Sequence, residues 1–189
     1  MQPIRLSASK ILFSPKNIAY MALFSALTAI CSWISIPTLV PFTLQTFAIF
    51  LMVGLLGTKR SLLSILIYLL LGAIGLPVFA GFSGGLGILF GTTGGYLIGF
   101  FFLALTAGLI INRFGHSFPI LIAAFFCGLL VCYCFGTAWF LIVYARNTGP
   151  IGLGTALSWC VIPFLLPDTI KIVLAALAVK RLWQHFFML

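Results

Sequence analysis

Long runs of apolar residues, separated by short polar or basic segments, dominate this chain of 189 residues. A helix needs about 20 apolar residues to cross the hydrocarbon core of a bilayer. The runs predict six membrane-spanning helices, over residues 18–36, 42–57, 61–80, 94–112, 118–144 and 155–180. The pattern is therefore typical of an all-α integral membrane protein.

The predicted helices leave little of the chain for a separate domain. We expect a cytoplasmic N-terminal segment over 1–17, a six-helix membrane domain over 18–181 and a short cytoplasmic tail over 182–189. The first apolar run is too long for the h-region of a cleavable signal, so we interpret it as a signal anchor. The sequence shows no convincing internal repeat of the kind found in many secondary transporters.

Composition supports the same class, because the chain is 63% hydrophobic and 6% charged, whereas soluble domains carry about 25% charged residues. The net charge of +9 does not predict nucleic-acid binding, since the basic residues fall between apolar runs and form no continuous patch. The partner of this surface is the lipid bilayer. Five cysteines lie in apolar runs without metal-ligand spacing, so we expect packing roles and no metal site.

Basic residues also predict the orientation, because cytoplasmic loops of membrane proteins are enriched in lysine and arginine. With the N-terminus inside, Arg146 faces out, Lys171 lies within a span and the other basic residues are cytoplasmic. These are Arg5, Lys10, Lys16, Lys59, Arg60, Arg113, Lys180 and Arg181. Both termini are then cytoplasmic, and the outer loops are 37–41, 81–93 and 145–154.

Asp168 is the only carboxylate side chain in the sequence, and it lies inside the last apolar run. A charge at that depth costs roughly 2.5–3.5 kcal/mol on insertion scales. Lys171 follows three residues later, on the same face of a helix, and Pro163 and Pro167 are expected to kink that helix. Such a pair suits a ligand with a neutral, polar head. An internal ion pair without a ligand, or a proton or ion relay, are the alternatives.

The segment 81–95 contains seven glycines in fifteen residues. Glycine lets the backbone adopt positive φ and approach a ligand closely. With Phe79, Phe82 and Tyr96 beside it as aromatic walls, we interpret the segment as a lid over a pocket, and a flexible linker is the alternative.

Polar side chains also open the second span from the outer side, at Thr43, Gln45 and Thr46. We expect Gln45 above all to contact a ligand. The alternative is that these side chains join helices to one another within the lipid.

Five segments together resemble the BioY family, the biotin-binding S components of energy-coupling factor (ECF) vitamin transporters. They are VPFTLQT at 40–46, LGAIGLPVFAG at 71–81, GGLG at 84–87, GTTGGYL at 91–97 and PDTIK at 167–171. Two positions depart from the family pattern. Thr92 stands where the family usually has proline, and Pro167 precedes Asp168 without an intervening glycine.

The resemblance implies the six-helix S-component fold and an outer biotin site closed by the loops after the first and third spans. It also implies that Asp168 and Lys171 serve this site. Asp168 would accept a hydrogen bond from the ureido ring, and Lys171 would orient Asp168 or contact the ligand. The expected biotin-binding residues are Asp168, Lys171, Ser83, Gly84, Gly85, Gln45, Thr43, Phe79 and Tyr96.

The resemblance further implies a partner surface on the first helix, where Ala22 and Ala26 would dock onto the coupling transmembrane subunit. Small residues at this spacing let helices approach closely, and internal packing is the alternative. The expected function is high-affinity biotin binding for uptake across the bacterial cytoplasmic membrane, powered by separate ATPase subunits. We expect no cofactor.

Other functions stay open at this point. The chain could be a solitary biotin transporter or an S component for another vitamin. An enzyme is not expected, because the spans offer neither a nucleophile–base pair nor a metal cluster.

Overall fold

The computed structural model describes residues 14–187, with side chains described as far as Trp183. Most of the predicted segment 1–17 lies outside the described residues, as does the end of the predicted tail at 188–189. The predictions for those residues are therefore not addressed by the structure.

Helices make up most of the described chain, which confirms the all-α prediction. The helices are α1 (Pro15–Trp33), α2 (Gln45–Leu56), α3 (Thr58–Ala73), α4 (Leu86–Leu89), α5 (Gly94–Phe114), α6 (Phe118–Asn147), α7 (Leu153–Cys160) and α8 (Ile162–Phe187). A 3₁₀ turn covers Ala80–Phe82, and two short strands, β1 (Ser35–Ile36) and β2 (Phe42–Thr43), pair antiparallel with Ser35 opposite Thr43.

Among the described residues, α5, α6 and Ile162–Trp183 of α8 are long and apolar enough to cross a membrane. The apolar helix α2 has 12 residues, which corresponds to about 18 Å and is shorter than the hydrocarbon core. The predicted count of six spans and the cytoplasmic position of both termini therefore stay predictions.

The third helix ends earlier than the predicted span 61–80. It stops at Ala73, because Gly75 adopts a φ of 99° and Pro77 cannot continue a helix. The hydrophobic residues after this point belong to a loop that folds back over the helix ends, and this loop carries Phe79.

The last predicted span, 155–180, is two helices in the structure. They are separated at Val161, whose φ is −126°. Pro163 has no N–H to donate back to the preceding turn, so the hydrogen-bond ladder of α7 cannot continue across this point. Pro163 then lies in the first turn of α8, where a missing N–H is tolerated, while Pro167 lies inside the helix.

Helix α2 forms the centre of the molecule and packs against α1, α3, α5 and α8. It is buried on nearly every side, as expected for a helix that is apolar all round. A Cβ added at Gly54 would lie 2.4 Å from Cγ2 of Val179, so this glycine lets α2 and α8 come into close contact. The other end of the same helix pair carries the polar residues described next.

Candidate ligand-binding site

A cavity of about 180 Å³ lies between α2, α5, α6, α8 and the loop after α3. Aromatic rings of Phe79, Tyr96 and Phe164 form part of its wall, and Asp168 and Lys171 of α8 also line it. The arrangement combines a mostly apolar wall with a few polar groups, as in small-molecule sites generally.

The carboxylate of Asp168 is 2% exposed and is held by three side chains. Its Oδ1 accepts hydrogen bonds from the Lys171 ammonium at 2.7 Å and the Thr46 hydroxyl at 3.0 Å. Its Oδ2 accepts one from the Tyr133 hydroxyl at 2.5 Å. A carboxylate has about four acceptor positions. Within the described part of the chain, three are taken, so Oδ2 can accept one more donor.

The ammonium of Lys171 is also fully engaged by described residues. Besides Asp168, it donates to the Thr43 carbonyl at 2.6 Å and to the Thr46 hydroxyl at 3.2 Å. It lies 4.2 Å from the centre of the Phe42 ring, a cation–π contact. An ammonium has three protons, and these acceptors use all of them. Lys171 therefore orients Asp168 and ties the start of α2 to α8.

The amide of Gln45 lines the cavity with a defined orientation. Its Oε1 accepts from the Thr43 hydroxyl at 3.0 Å, and its Nε2 donates to the Tyr68 hydroxyl at 2.5 Å. An amide nitrogen carries two N–H groups. Among the described residues the second N–H has no further partner, so it is available as a donor at the cavity wall.

The loop after α3 brings Phe79 and Ser83 to the cavity wall. The Phe79 N–H donates to the Ser83 carbonyl at 2.9 Å, and the Ser83 hydroxyl donates to the Ala80 carbonyl at 2.8 Å. The Phe79 ring lies against Gly72, where an added Cβ would be 1.9 Å from the ring. These contacts fold the loop tightly rather than leaving it as an unstructured linker.

Gly84 and Gly85, which we predicted as ligand contacts, are not among the described residues that line the cavity. A Cβ at Gly84 would meet the Leu76 carbonyl at 2.3 Å. Gly85 has a φ of 97°, and its N–H donates to the Gly72 carbonyl at 2.7 Å. Both glycines shape the loop, so a direct contact between either one and a ligand stays a prediction.

Tyr96 lines the cavity from α5. Its hydroxyl and that of Thr137 are 2.9 Å apart, and its ring packs on Gly136, where a Cβ would lie 2.2 Å from the ring. The tyrosine is therefore fixed by α6. It forms a rigid part of the cavity wall, and its contact with a ligand stays a prediction.

The structure thus brings seven of the nine predicted residues to one cavity, namely Asp168, Lys171, Ser83, Gln45, Thr43, Phe79 and Tyr96. Sequence reasoning missed Tyr133, because one tyrosine in an apolar helix gives no local signal. The sequence indicated only that a buried carboxylate needs hydrogen-bond donors besides Lys171, and it did not indicate which residue would supply them.

The predicted docking residues Ala22 and Ala26 are exposed on α1, whereas Ala29 is buried. Exposed large apolar residues, Leu23 and Ile30, lie on the same helix. Ala22 and Ala26 are therefore not buried by packing within the chain, and their role in docking stays a prediction.

The fold and the cavity together define a helical membrane protein with a largely apolar cavity beside a buried ion pair. Residues 6–187 match the sequence profile described as the BioY family. The chain belongs to the BioY family.

Curated relatives agree with this assignment. The chain is 43% identical to "Biotin transporter BioY" of Thermotoga maritima over 85% of this chain and 91% of that protein. It is 40% identical to "Probable biotin transporter BioY" of Pyrococcus horikoshii over 88% and 96%. Its fold matches the crystal structure of the S-component for biotin from an ECF-type ABC transporter, with a TM-score of 0.81, 26% identity and 95% of both chains covered.

Proposed function

We propose that the chain is the biotin-binding S component of an ECF transporter and takes up biotin across the cytoplasmic membrane. Its family, its transporter relatives and its structural neighbour support this function. The observation that carries it is the buried carboxylate of Asp168, which keeps one acceptor position at the cavity.

The chemistry of biotin fits the cavity. The ureido ring of biotin has two N–H donors and one carbonyl, and its thiophane ring is apolar. An N–H of the ligand donates to Oδ2 of Asp168, and the free N–H of Gln45 donates to the ureido carbonyl. Phe79, Tyr96 and Phe164 cover the apolar part. In this assignment Lys171 positions the Asp168 carboxylate.

The partners follow from the same proposal. The coupling transmembrane subunit docks on α1 at Ala22 and Ala26, and separate ATPase subunits supply the energy. Replacing Ala22 by Leu should leave biotin binding intact and weaken co-purification with the coupling subunit. A complex that forms equally well with this variant would place the docking face elsewhere.

Isothermal titration of the detergent-purified chain tests the central proposal. We expect saturable binding of biotin and no binding of other vitamins under the same conditions. Tight binding of another vitamin in preference to biotin would contradict the proposed ligand. Biotin uptake by cells that lack coupling and ATPase subunits would instead indicate a solitary transporter.

A further inference from the structure

The backbone carbonyl of Val78 accepts hydrogen bonds from two helices at once. Ser32 of α1 donates to it at 2.7 Å, and Tyr68 of α3 donates to it at 3.0 Å. Both side chains are fully buried, and neither is among the described residues that line the cavity. The next residue, Phe79, does line the cavity, so the two donors hold the loop at the point where it reaches the site.

The hydroxyl of Tyr68 also connects this loop to α2. A phenol has one proton, and Tyr68 uses it on Val78, so the hydroxyl accepts the hydrogen bond from Gln45. The Tyr68 ring packs edge-on against Phe79, with 5.5 Å between ring centres. One side chain outside the cavity therefore positions two residues that line it.

The C-terminal end of α1 holds the same loop through a second residue. The indole N–H of Trp33 donates to the Pro77 carbonyl at 2.8 Å, and its ring stacks on Phe82 with 5.1 Å between ring centres. Ser32 shares its single hydroxyl proton between the Ala29 carbonyl of its own helix, at 2.6 Å, and Val78. The loop is thus fastened to α1 at three residues, Pro77, Val78 and Phe82.

We propose that Ser32 and Tyr68 are positioning residues that form a double latch on the Val78 carbonyl and thereby set how fast the ligand leaves the cavity. The proposal rests on biotin being that ligand. Moving Phe79 off the cavity pulls Val78 away from both donors. Val78 is half-buried, and both of its donors are fully buried. Either donor alone satisfies its carbonyl, whereas losing both leaves this partly buried acceptor without a side-chain donor, which is the costlier case.

The latch predicts that the two donors act together on ligand release. Purified Ser32→Ala, Tyr68→Phe and the double variant are loaded with radiolabelled biotin and chased with unlabelled biotin. We expect dissociation to quicken about threefold in Ser32→Ala and about tenfold in Tyr68→Phe, which also frees Gln45. The double variant should release biotin about a hundredfold faster or more, beyond the product of the single effects.

Ser25→Ala is the matched control. Ser25 is also buried on α1 and also shares its proton between a carbonyl of its own helix, Met21, and one of α3, Ser64, each at 2.8 Å. This bond lies two turns away from the loop. A general loosening of α1 against α3 would therefore speed release in Ser25→Ala as well, and the latch predicts that it does not.

Two results would overturn the latch. In the first, the double variant speeds biotin dissociation by no more than the product of the two single-variant factors. In the second, Ser25→Ala speeds dissociation as much as Ser32→Ala does. If the double variant does not fold, hydrogen exchange of Tyr68→Phe decides, because the latch predicts faster exchange over 74–83 but not in α6. A wild-type chain that does not bind biotin at all would instead refute the proposed function.

Discussion

The two halves of the contact between α2 and α8 differ sharply. At one end, Thr46 of α2 meets the charged pair Asp168 and Lys171 of α8 beside a cavity. At the other end, Gly54 lies so close to Val179 that an added Cβ would be 2.4 Å from its Cγ2. The same two helices are therefore joined by polar side chains at one end and by close apolar packing at the other.

The physical reasons for the two ends are different. Close apolar packing needs only a residue small enough to allow it. A buried ion pair must recover the cost of desolvation through good geometry and further hydrogen bonds, so it is weak evidence for stability. Stability explains the glycine end, and the proposed binding of a ligand would explain the charged end.

Replacing Asp168 by Asn breaks the charged end and should have the largest effect. Removing one partner of a buried ion pair lowers the stability of the fold by about 3–5 kcal/mol, because Lys171 is left with an uncompensated buried charge. The ligand also loses a charge-assisted hydrogen bond, worth roughly 1.5–3 kcal/mol, so we expect biotin affinity to fall about tenfold to a hundredfold in isothermal titration.

The double variant Asp168→Asn/Lys171→Met is the control for this effect. It removes both charges and should recover much of the thermal stability without recovering binding. Unchanged biotin affinity in Asp168→Asn would refute the role of the carboxylate. Restored binding in the double variant would show that the ligand does not need the charge of Asp168.

Replacing Gly54 by Ala tests the close-packed end. The added methyl group forces α2 and α8 apart, and overpacking of this kind typically costs about 1–3 kcal/mol. Thermal unfolding in detergent should occur at a lower temperature, while the folded protein keeps its affinity for biotin. Val179→Ala in the same chain should restore stability. An affinity loss as large as the stability loss would mean that the two ends are not independent.

Replacing Tyr133 by Phe sharpens the account of the charged end. It removes one hydrogen bond to Oδ2 of Asp168 and keeps the ring, so we expect affinity to fall by about 1.5 kcal/mol, or roughly tenfold. Titration with biotin measures this loss. Thr137→Val is a suitable control, because Thr137 lies one turn from Tyr133 on α6. Its hydroxyl pairs with that of Tyr96 and not with Asp168. An equal loss in the control would assign the effect to packing.

The smallest expected effect concerns His116, in the connection between α5 and α6 at the close-packed end. Its ring stacks on Trp183 of α8 with 3.4 Å between ring centres. Burial lowers the pKa of His116 below its ordinary value of 6.5, and a hydrogen bond with the Gly54 backbone partly offsets this. Nε2 of His116 is buried without a partner among the described residues.

The lowered pKa fixes the direction of a pH effect. As the pH falls below 6.5, His116 in the unfolded chain binds a proton before His116 in the folded chain does. The contribution of His116 to the free energy of unfolding is therefore fully present above pH 6.5 and is lost as the pH falls towards the folded pKa. The slope contributed by one group is at most about 1.4 kcal/mol per pH unit. Thermal unfolding of His116→Phe between pH 7 and pH 5 should show a shallower decline than the wild type. An unchanged slope would exclude His116 as its source.

Much of the fold could be predicted from the apolar runs, but element boundaries could not. Residues 74–80 are apolar enough to be predicted as the end of the third span. Gly75 and Pro77 instead make them part of the loop that carries Phe79. The break at Val161 was missed for a similar reason, because the neighbouring prolines indicate a disturbance without specifying its position. Hydrophobicity reports burial in lipid or protein but does not distinguish between them.

The sequence by itself determined the helical membrane class and the pairing of Asp168 with Lys171, because both depend on local features: the length of apolar runs and the three-residue spacing on one helix. Only the tertiary structure decided that Tyr133 and Thr46 complete the carboxylate's shell and that Tyr68 joins Gln45 to Val78. These contacts link different helices, and a hydrogen bond depends on distance and direction in space, which helix packing alone fixes.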